Sequence, residues 1–164
     1  MTKTANNLAE AFAGESQANR KYLAFAKKAD QEGLTQVARL FRAAAAAETV
    51  HAHAHLRVLG GIRSTEENLR EAIGGETHEF TAMYPQMIEG AIEEGNKGAR
   101  MSFEFANAVE KIHAELYQKA LEAMGDLAGT DYYVCDVCGN TVEGEAPDKC
   151  PICGVDKSHF MKID

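Results

Sequence analysis

The chain of 164 residues has no tryptophan, only three prolines, and no cysteine before position 135. Each scarcity excludes something. Few prolines, with alanine, glutamate, lysine and arginine plentiful, leave long helices uninterrupted and point to a helical core. No apolar run approaches the roughly 18 residues of a membrane helix, and no charged-then-apolar leader opens the chain. No membrane association is therefore expected, and a cytoplasmic location is. Excess positive charge is also missing: the net charge of −8 argues against nucleic acid as the main partner. No glycine-rich dinucleotide fingerprint is present, so a nicotinamide cofactor would act only through another protein. All four cysteines fall in the last 30 residues as two C-x-x-C pairs, which in a cytosolic protein suggests metal ligation rather than disulfides.

Hydrophobic spacing places a first helix over about 4–31, with Leu8, Phe12, Tyr22, Leu23 and Phe25 recurring at helical intervals and Gly33 stopping it. A second follows over about 35–59, its inner side drawn from Val37, Leu40, Phe41, the alanines of 43–47 and Val50. Ser64-Thr65-Glu66-Glu67 has the form of an N-cap with acids in the first turn, opening a short helix to about Ile73 that Gly74-Gly75 interrupts. A third helix is expected over 76–94, disturbed at Pro85, and a fourth over about 97–124. The resulting division is a helical domain over 1–128 and a small metal-folded module over 131–164.

Acidic stations recur about every 30 residues on these helices: Glu15, then Glu48-x-x-His51, Glu76-x-x-Glu79 and Glu110-x-x-His113. A spacing of three puts both members of a pair on one helical face. One Glu-x-x-His alone would mean a solvated surface. Two copies with an inserted Glu-x-x-Glu and even spacing argue against that. Five carboxylates and two imidazoles facing an apolar core need compensation, and two metal ions supply it. Carboxylates from two helices plus Glu-x-x-His from two others is the donor set of ferritin-like di-iron or di-manganese bundles. His55 is expected at the solvent-facing end of its helix, His53 and His159 on the surface, and His78 off the face of Glu76 and Glu79.

Cys135-x-x-Cys138-Gly139 and Cys150-Pro-Ile-Cys153-Gly154 are two knuckles that together make a tetrahedral four-thiolate site. From the cysteines alone the reading is a zinc ribbon. The attached di-metal bundle reverses that preference in favour of one iron, which passes single electrons, with zinc as an alternative occupant on recombinant expression.

Glu15-Ser-Gln-Ala-x-x-x-Tyr22, Ala-x-Glu48-x-Val-His51, Gly75-Glu76-x-x-Glu79-Phe-x-x-Met83-Tyr84-Pro85 and Glu110-Lys-Ile-His113 resemble the di-iron domain of the rubrerythrin family. The C-terminal module resembles the family's rubredoxin-like domain. The resemblance implies an all-α four-helix ferritin-like bundle followed by a small rubredoxin-like metal-bound β module. It implies Glu48 and Glu110 bridging two irons, Glu76 and His113 on one, and Glu15 and Glu79 on the other. His51 is implied to replace Glu79 when the irons are reduced, and Tyr22 and Tyr84 to hydrogen-bond ligating carboxylates. The implied activity is a peroxidase of oxidative-stress defence. It takes hydrogen peroxide to water, with electrons relayed by the four-cysteine iron from a rubredoxin or an NAD(P)H-dependent reductase. Alternatives are a ferroxidase or iron-storage protein and a non-redox zinc-ribbon bundle.

In a ferritin-like bundle the second-to-third connection crosses the bundle's full length. The second helix, about 25 residues at 1.5 Å each, is nearly 40 Å long. Residues 60–75 are partly helical and reach only about 35 Å. A homodimer with exchanged helical hairpins is therefore expected, with electron hand-over across it.

Overall fold

The computed structural model describes residues 2–164 and divides them into two compact units, one ending at Arg63 and the other running from Ser64 to Asp164. In the first unit, α1 (Lys3–Gln31) and α2 (Thr35–Val58) form a helical hairpin. Thr2 caps α1 by accepting from the Ala5 N–H at 3.2 Å. Gly33, at φ +76°, turns the chain between the helices, a conformation that costs glycine little. Ala38, Ala45 and Ala52 are buried, spaced by seven residues, so one stripe of α2 meets α1 without bulky side chains. Facing it lie Asn19 and Ala26, also seven apart. Tyr22, Phe25 and Phe41 cluster with ring centroids 5.6–6.3 Å apart. The inner side expected for α2 is only partly this one: Leu40 and Val50 are 69% and 67% exposed. The hairpin seals through its alanines and leaves its larger aliphatics uncovered.

The second unit begins with the anticipated cap. Ser64 Oγ accepts from the Glu67 N–H at 3.3 Å while Glu67 Oε2 accepts from the Ser64 N–H at 3.2 Å, a reciprocal capping box. From it α3 (Thr65–His78) runs straight through Gly74-Gly75, which do not interrupt it. Each glycine costs about 1 kcal/mol of helix propensity. Packing of α3 on α5 and the capping box outweigh that cost. The helix continues through one π-helical turn, Glu79–Met83, into α4 (Tyr84–Glu93), every joining residue keeping right-handed helical angles. The disturbance expected at Pro85 takes this form. Pro85 has no N–H to offer, and the Tyr84 N–H reaches back five residues to the Glu79 carbonyl. Asn96 caps α5 (Lys97–Glu122) through the Ala99 N–H at 3.0 Å, and α5 packs along the whole rod of α3 and α4. The helical set is thus α1, α2, the continuous α3–α4 rod and α5.

After α5 a three-stranded antiparallel sheet, order β2–β1–β3, is built from β1 (Tyr132–Cys135), β2 (Thr141–Glu143) and β3 (Phe160–Ile163). The module is seated on α5 of the same unit. Lys119 Nζ pairs with Glu143 at 2.6 Å, and a Cβ at Gly139 would lie 3.8 Å from buried Val109. No helix of the described residues is long and apolar enough to cross a membrane.

Candidate metal centres

Three groups of potential ligands occur among the described residues, each with donor atoms within 4.8 Å of one another: Glu15, Glu48 and His51; Glu76, Glu110 and His113; and the four cysteines. The first belongs to the hairpin. Glu48 and His51 face the same way because they are three residues apart, with Oε2 and Nδ1 at 2.9 Å. Glu48 is sheltered and the His51 side chain is 56% exposed. Asn19, four residues after Glu15, holds the hairpin in register. Its Nδ2 donates to the Ala45 carbonyl at 2.7 Å and to Thr49 Oγ1 at 2.8 Å, while its buried Oδ1 has no partner. Sequence reasoning passed over Asn19. The available signal was a polar residue one turn from a ligand on the same apolar stripe.

The second group lies on the α3–α4 rod and α5. His113 Nδ1 is 2.7 Å from Glu110 Oε2 and 4.0 Å from Glu76 Oε1. Burial, then the Glu110 charge, raise the Glu76 carboxyl above its usual range; His113 opposes this and Glu79 adds to it. Glu79, half-buried at the start of the π turn, is thus within electrostatic reach of Glu76 without joining its tight group. Tyr84 is pushed above the ordinary phenol range by burial first, and then by Glu79, Glu110 and Glu76. It packs 6.3 Å from Phe103. Tyr22 sits in the hairpin's aromatic cluster. His53 and His78 are exposed and His55 is half-buried; the His159 Nδ1 pairs with Asp136 at 2.9 Å.

In the cysteine group, sulfurs of Cys135 and Cys153 are 3.7 Å apart and those of Cys138 and Cys150 are 3.5 Å apart. A tetrahedron of thiolates about 2.3 Å from a metal has edges near ~3.8 Å. The cage fits one tetrahedral metal. Burial drives the Cys138 thiol far up and raises Cys153 as well. Burial would raise Cys150 too, but backbone N–H groups of Cys153 and Ile152, with the Cys138 and Cys153 thiols, bring it to about 6. Cys150 is therefore the readiest thiolate, while the Cys138 and Cys153 thiols hold their protons until a cation compensates them.

The carboxylate groups pass a similar test. Like charges crowd a sheltered space, the donor chemistry that suits a hard divalent ion. Two further residues missed from sequence, Asn140 and Thr141, touch both kinds of centre. Asn140, 1% exposed, directs Nδ2 at Cys150 Sγ, 3.7 Å away, and Thr141 Oγ1 meets His113 Nε2 at 2.9 Å. The cysteine module lies against α5 of its own chain.

Comparison with known proteins follows the same division. The family model described as Rubrerythrin matches residues 6–121, and that described as Rubrerythrin, rubredoxin-like domain matches residues 133–161. Rubrerythrin-2 of Clostridium acetobutylicum is 37% identical over 96% of this chain and 95% of its own length. Nigerythrin of Nitratidesulfovibrio vulgaris is 38% identical over 96% of this chain and 85% of its own. The solved structure of fully reduced, all-ferrous nigerythrin aligns with a TM-score of 0.60 at 36% identity, covering 99% of this chain and 88% of that one.

Proposed function

Because the chain belongs to the rubrerythrin family, we propose that it reduces hydrogen peroxide to water in defence against oxidative stress. Its fold is the family's ferritin-like four-helix bundle with a rubredoxin-like module, and its cofactors are two non-haem irons in the bundle and one iron in the four-cysteine site. The protein is an iron-dependent oxidoreductase. The observation that carries the finer reading is the seating of the cysteine cage on α5, the helix that bears Glu110 and His113. A one-electron store beside a multi-electron centre suits reduction of a small oxidant.

Glu48 and Glu110 would hold both irons, Glu76 and His113 one of them, and Glu15 and Glu79 the other, with His51 as an alternative to Glu79. Cys135, Cys138, Cys150 and Cys153 hold the third iron. The bundle domain is assigned to 1–128 and the module to 131–164. When bound, the bundle irons supply the two electrons that cleave the O–O bond and the charge that stabilises the released oxygens. One peroxide, two electrons and two protons give two waters. The chain's part is to hold the carboxylates at two faces of the substrate and to keep the Tyr84 Oη proton in place. Burial and the neighbouring carboxylates disfavour its phenolate and keep the hydroxyl protonated, and the role assigned to it is donation to a ligating carboxylate. Tyr22 is assigned the same role in the hairpin. Electrons enter from a rubredoxin or an NAD(P)H-dependent reductase in the cytoplasm.

A homodimer with hairpin exchange completes each bundle site. Val58 ends α2 and Thr65 begins α3, leaving only residues 59–64 as connection. Fully extended, they reach about 20 Å. The α2 helix, 24 residues long, spans about 36 Å. That connection is shorter than the sequence suggests, too short for a same-chain crossover, and the uncovered Leu40 and Val50 offer a second chain an apolar surface.

Anaerobic stopped-flow mixing of dithionite-reduced, iron-loaded protein with peroxide tests the reading. The cysteine-site colour should return with two electrons consumed per peroxide, and Glu79→Ala or His51→Ala should slow the return without altering the spectrum. Absence of peroxide oxidation in the unmutated protein would overturn the function. A monomer by sedimentation at full iron loading would overturn the exchange.

A further inference from the structure

Asn140 and Thr141 are adjacent in sequence, yet they serve opposite partners. The Asn140 amide points at a cage sulfur and the Thr141 hydroxyl at the imidazole of a bundle donor. The hydrogen-bond directions around Thr141 can be worked out. Its Oγ1 lies 3.1 Å from the Gly139 carbonyl, which can only accept, so the hydroxyl proton is committed there. The oxygen then accepts from His113 Nε2–H. That commits the Nε2 proton to Thr141 and leaves Nδ1 as the nitrogen that faces Glu110 and Glu76, where a metal ion would take the place of the proton shared with Glu110 Oε2 at 2.7 Å. A metal-ligating histidine whose other N–H is tied down in this way keeps both its orientation and its basicity.

The anchor of this bond is not a free surface loop. The Gly139 N–H donates to the Cys135 carbonyl at 2.9 Å, and the Cys135 N–H to the Asn140 carbonyl at 3.0 Å. The dipeptide therefore forms part of the first cysteine knuckle itself. Beside it lies a cavity of about 390 Å³ lined by Leu69, Leu116, Tyr132 and Ile163 as well as His113 and Thr141. The hydroxyl–imidazole bond is a specific polar tie between module and helix beside this groove.

We propose that Asn140–Thr141 is a positioning dipeptide that holds His113 with Nδ1 turned toward the bundle carboxylates and forms the within-chain path between the cysteine iron and the bundle. One electron leaves the four-thiolate iron, ferrous becoming ferric, and enters the bundle site, ferric becoming ferrous; no proton or heavy atom moves. The path runs from Cys150 Sγ through the Asn140 amide, along the backbone to Thr141, and through its hydroxyl to His113. It depends on the iron sites and not on which oxidant they meet.

The test uses iron-loaded protein and photoreduced flavin as a one-electron donor, without peroxide. Flash reduction should bleach the cysteine-site colour, followed by recolouring at a rate independent of protein concentration as the electron moves on. In Thr141→Val, recolouring should slow at least tenfold and ferrous-iron affinity of the bundle should fall about 10–100-fold. Thr141→Ser should restore both, which a merely structural defect would not. Asn140→Ala should shift the cysteine-site midpoint potential downward, because the lost N–H favoured the more negatively charged reduced cage. Wild-type transfer and affinity in Thr141→Val, an unmoved midpoint in Asn140→Ala, or no recolouring in the unmutated protein would each overturn the proposal. A failure of peroxide reduction would leave these results standing.

Discussion

Replacing Asn19 with alanine removes the polar clamp of the α1–α2 hairpin. Two hydrogen bonds are lost, to the Ala45 carbonyl at 2.7 Å and to Thr49 Oγ1 at 2.8 Å, each worth about 1 kcal/mol net. Removal of the buried, unpartnered Oδ1 returns part of that, up to about 1 kcal/mol. The expected loss is therefore ~1–2 kcal/mol, a drop of roughly 3–6 °C in unfolding temperature for a chain of this size. Asn19→Asp keeps the volume but turns an oxygen toward the Ala45 carbonyl and buries a charge. It should cost more than alanine, about 3 kcal/mol or above. Thermal unfolding followed by far-ultraviolet circular dichroism, at one protein concentration and with metal removed, measures both. Ferrous-iron titration of the same variants should show weaker binding, because Asn19 sets Glu15 against Glu48. An Asn19→Ala protein as stable as the parent, or an Asn19→Asp protein more stable than Asn19→Ala, would refute the clamp.

Two further outcomes follow from the second unit. Gly74→Ala should stabilise α3 by about 0.5–1 kcal/mol, since a Cβ there meets nothing within 4 Å and the backbone is already helical; a lower unfolding temperature would reveal an unseen neighbour at that face. Metal-free protein should lose stability as pH rises. Glu76 titrates above its ordinary 4.5 when folded, so the folded state holds the proton longer, and the stabilisation present below 4.5 is lost as pH climbs through the raised value. Urea midpoints measured across that window, with and without ferrous iron, should show the fall in the metal-free protein and its reversal on loading.

The clustered side chains were legible in sequence because metal chemistry restricts both residue type and spacing. Glu48 with His51 and Glu110 with His113 announce a shared face, and two C-x-x-C-Gly knuckles leave few alternatives. What escaped was decided by neighbours distant in sequence. Gly74-Gly75 has the local form of a break, yet α5 supplies packing that local propensity does not register. Leu40 and Val50 fit an inward stripe by period alone, but the hairpin closes on a narrower stripe of alanines. Asn19, Asn140 and Thr141 carry no motif; their roles lie in hydrogen bonds to partners 10 to 30 residues away.

The π turn at Glu79–Met83 has a bearing on how much length variation this helix can tolerate. Such a turn is the trace of a single-residue insertion in an α-helix. Deleting one residue between Glu79 and Tyr84 would restore ordinary α-helical winding, and it would rotate everything beyond by about 100°. Tyr84 would then leave the side of the rod that looks toward Glu76 and Glu110, even though no ligand had been touched. The widened turn therefore acts as a phase correction, and the helix after it is aligned to the carboxylates only while the extra residue is kept.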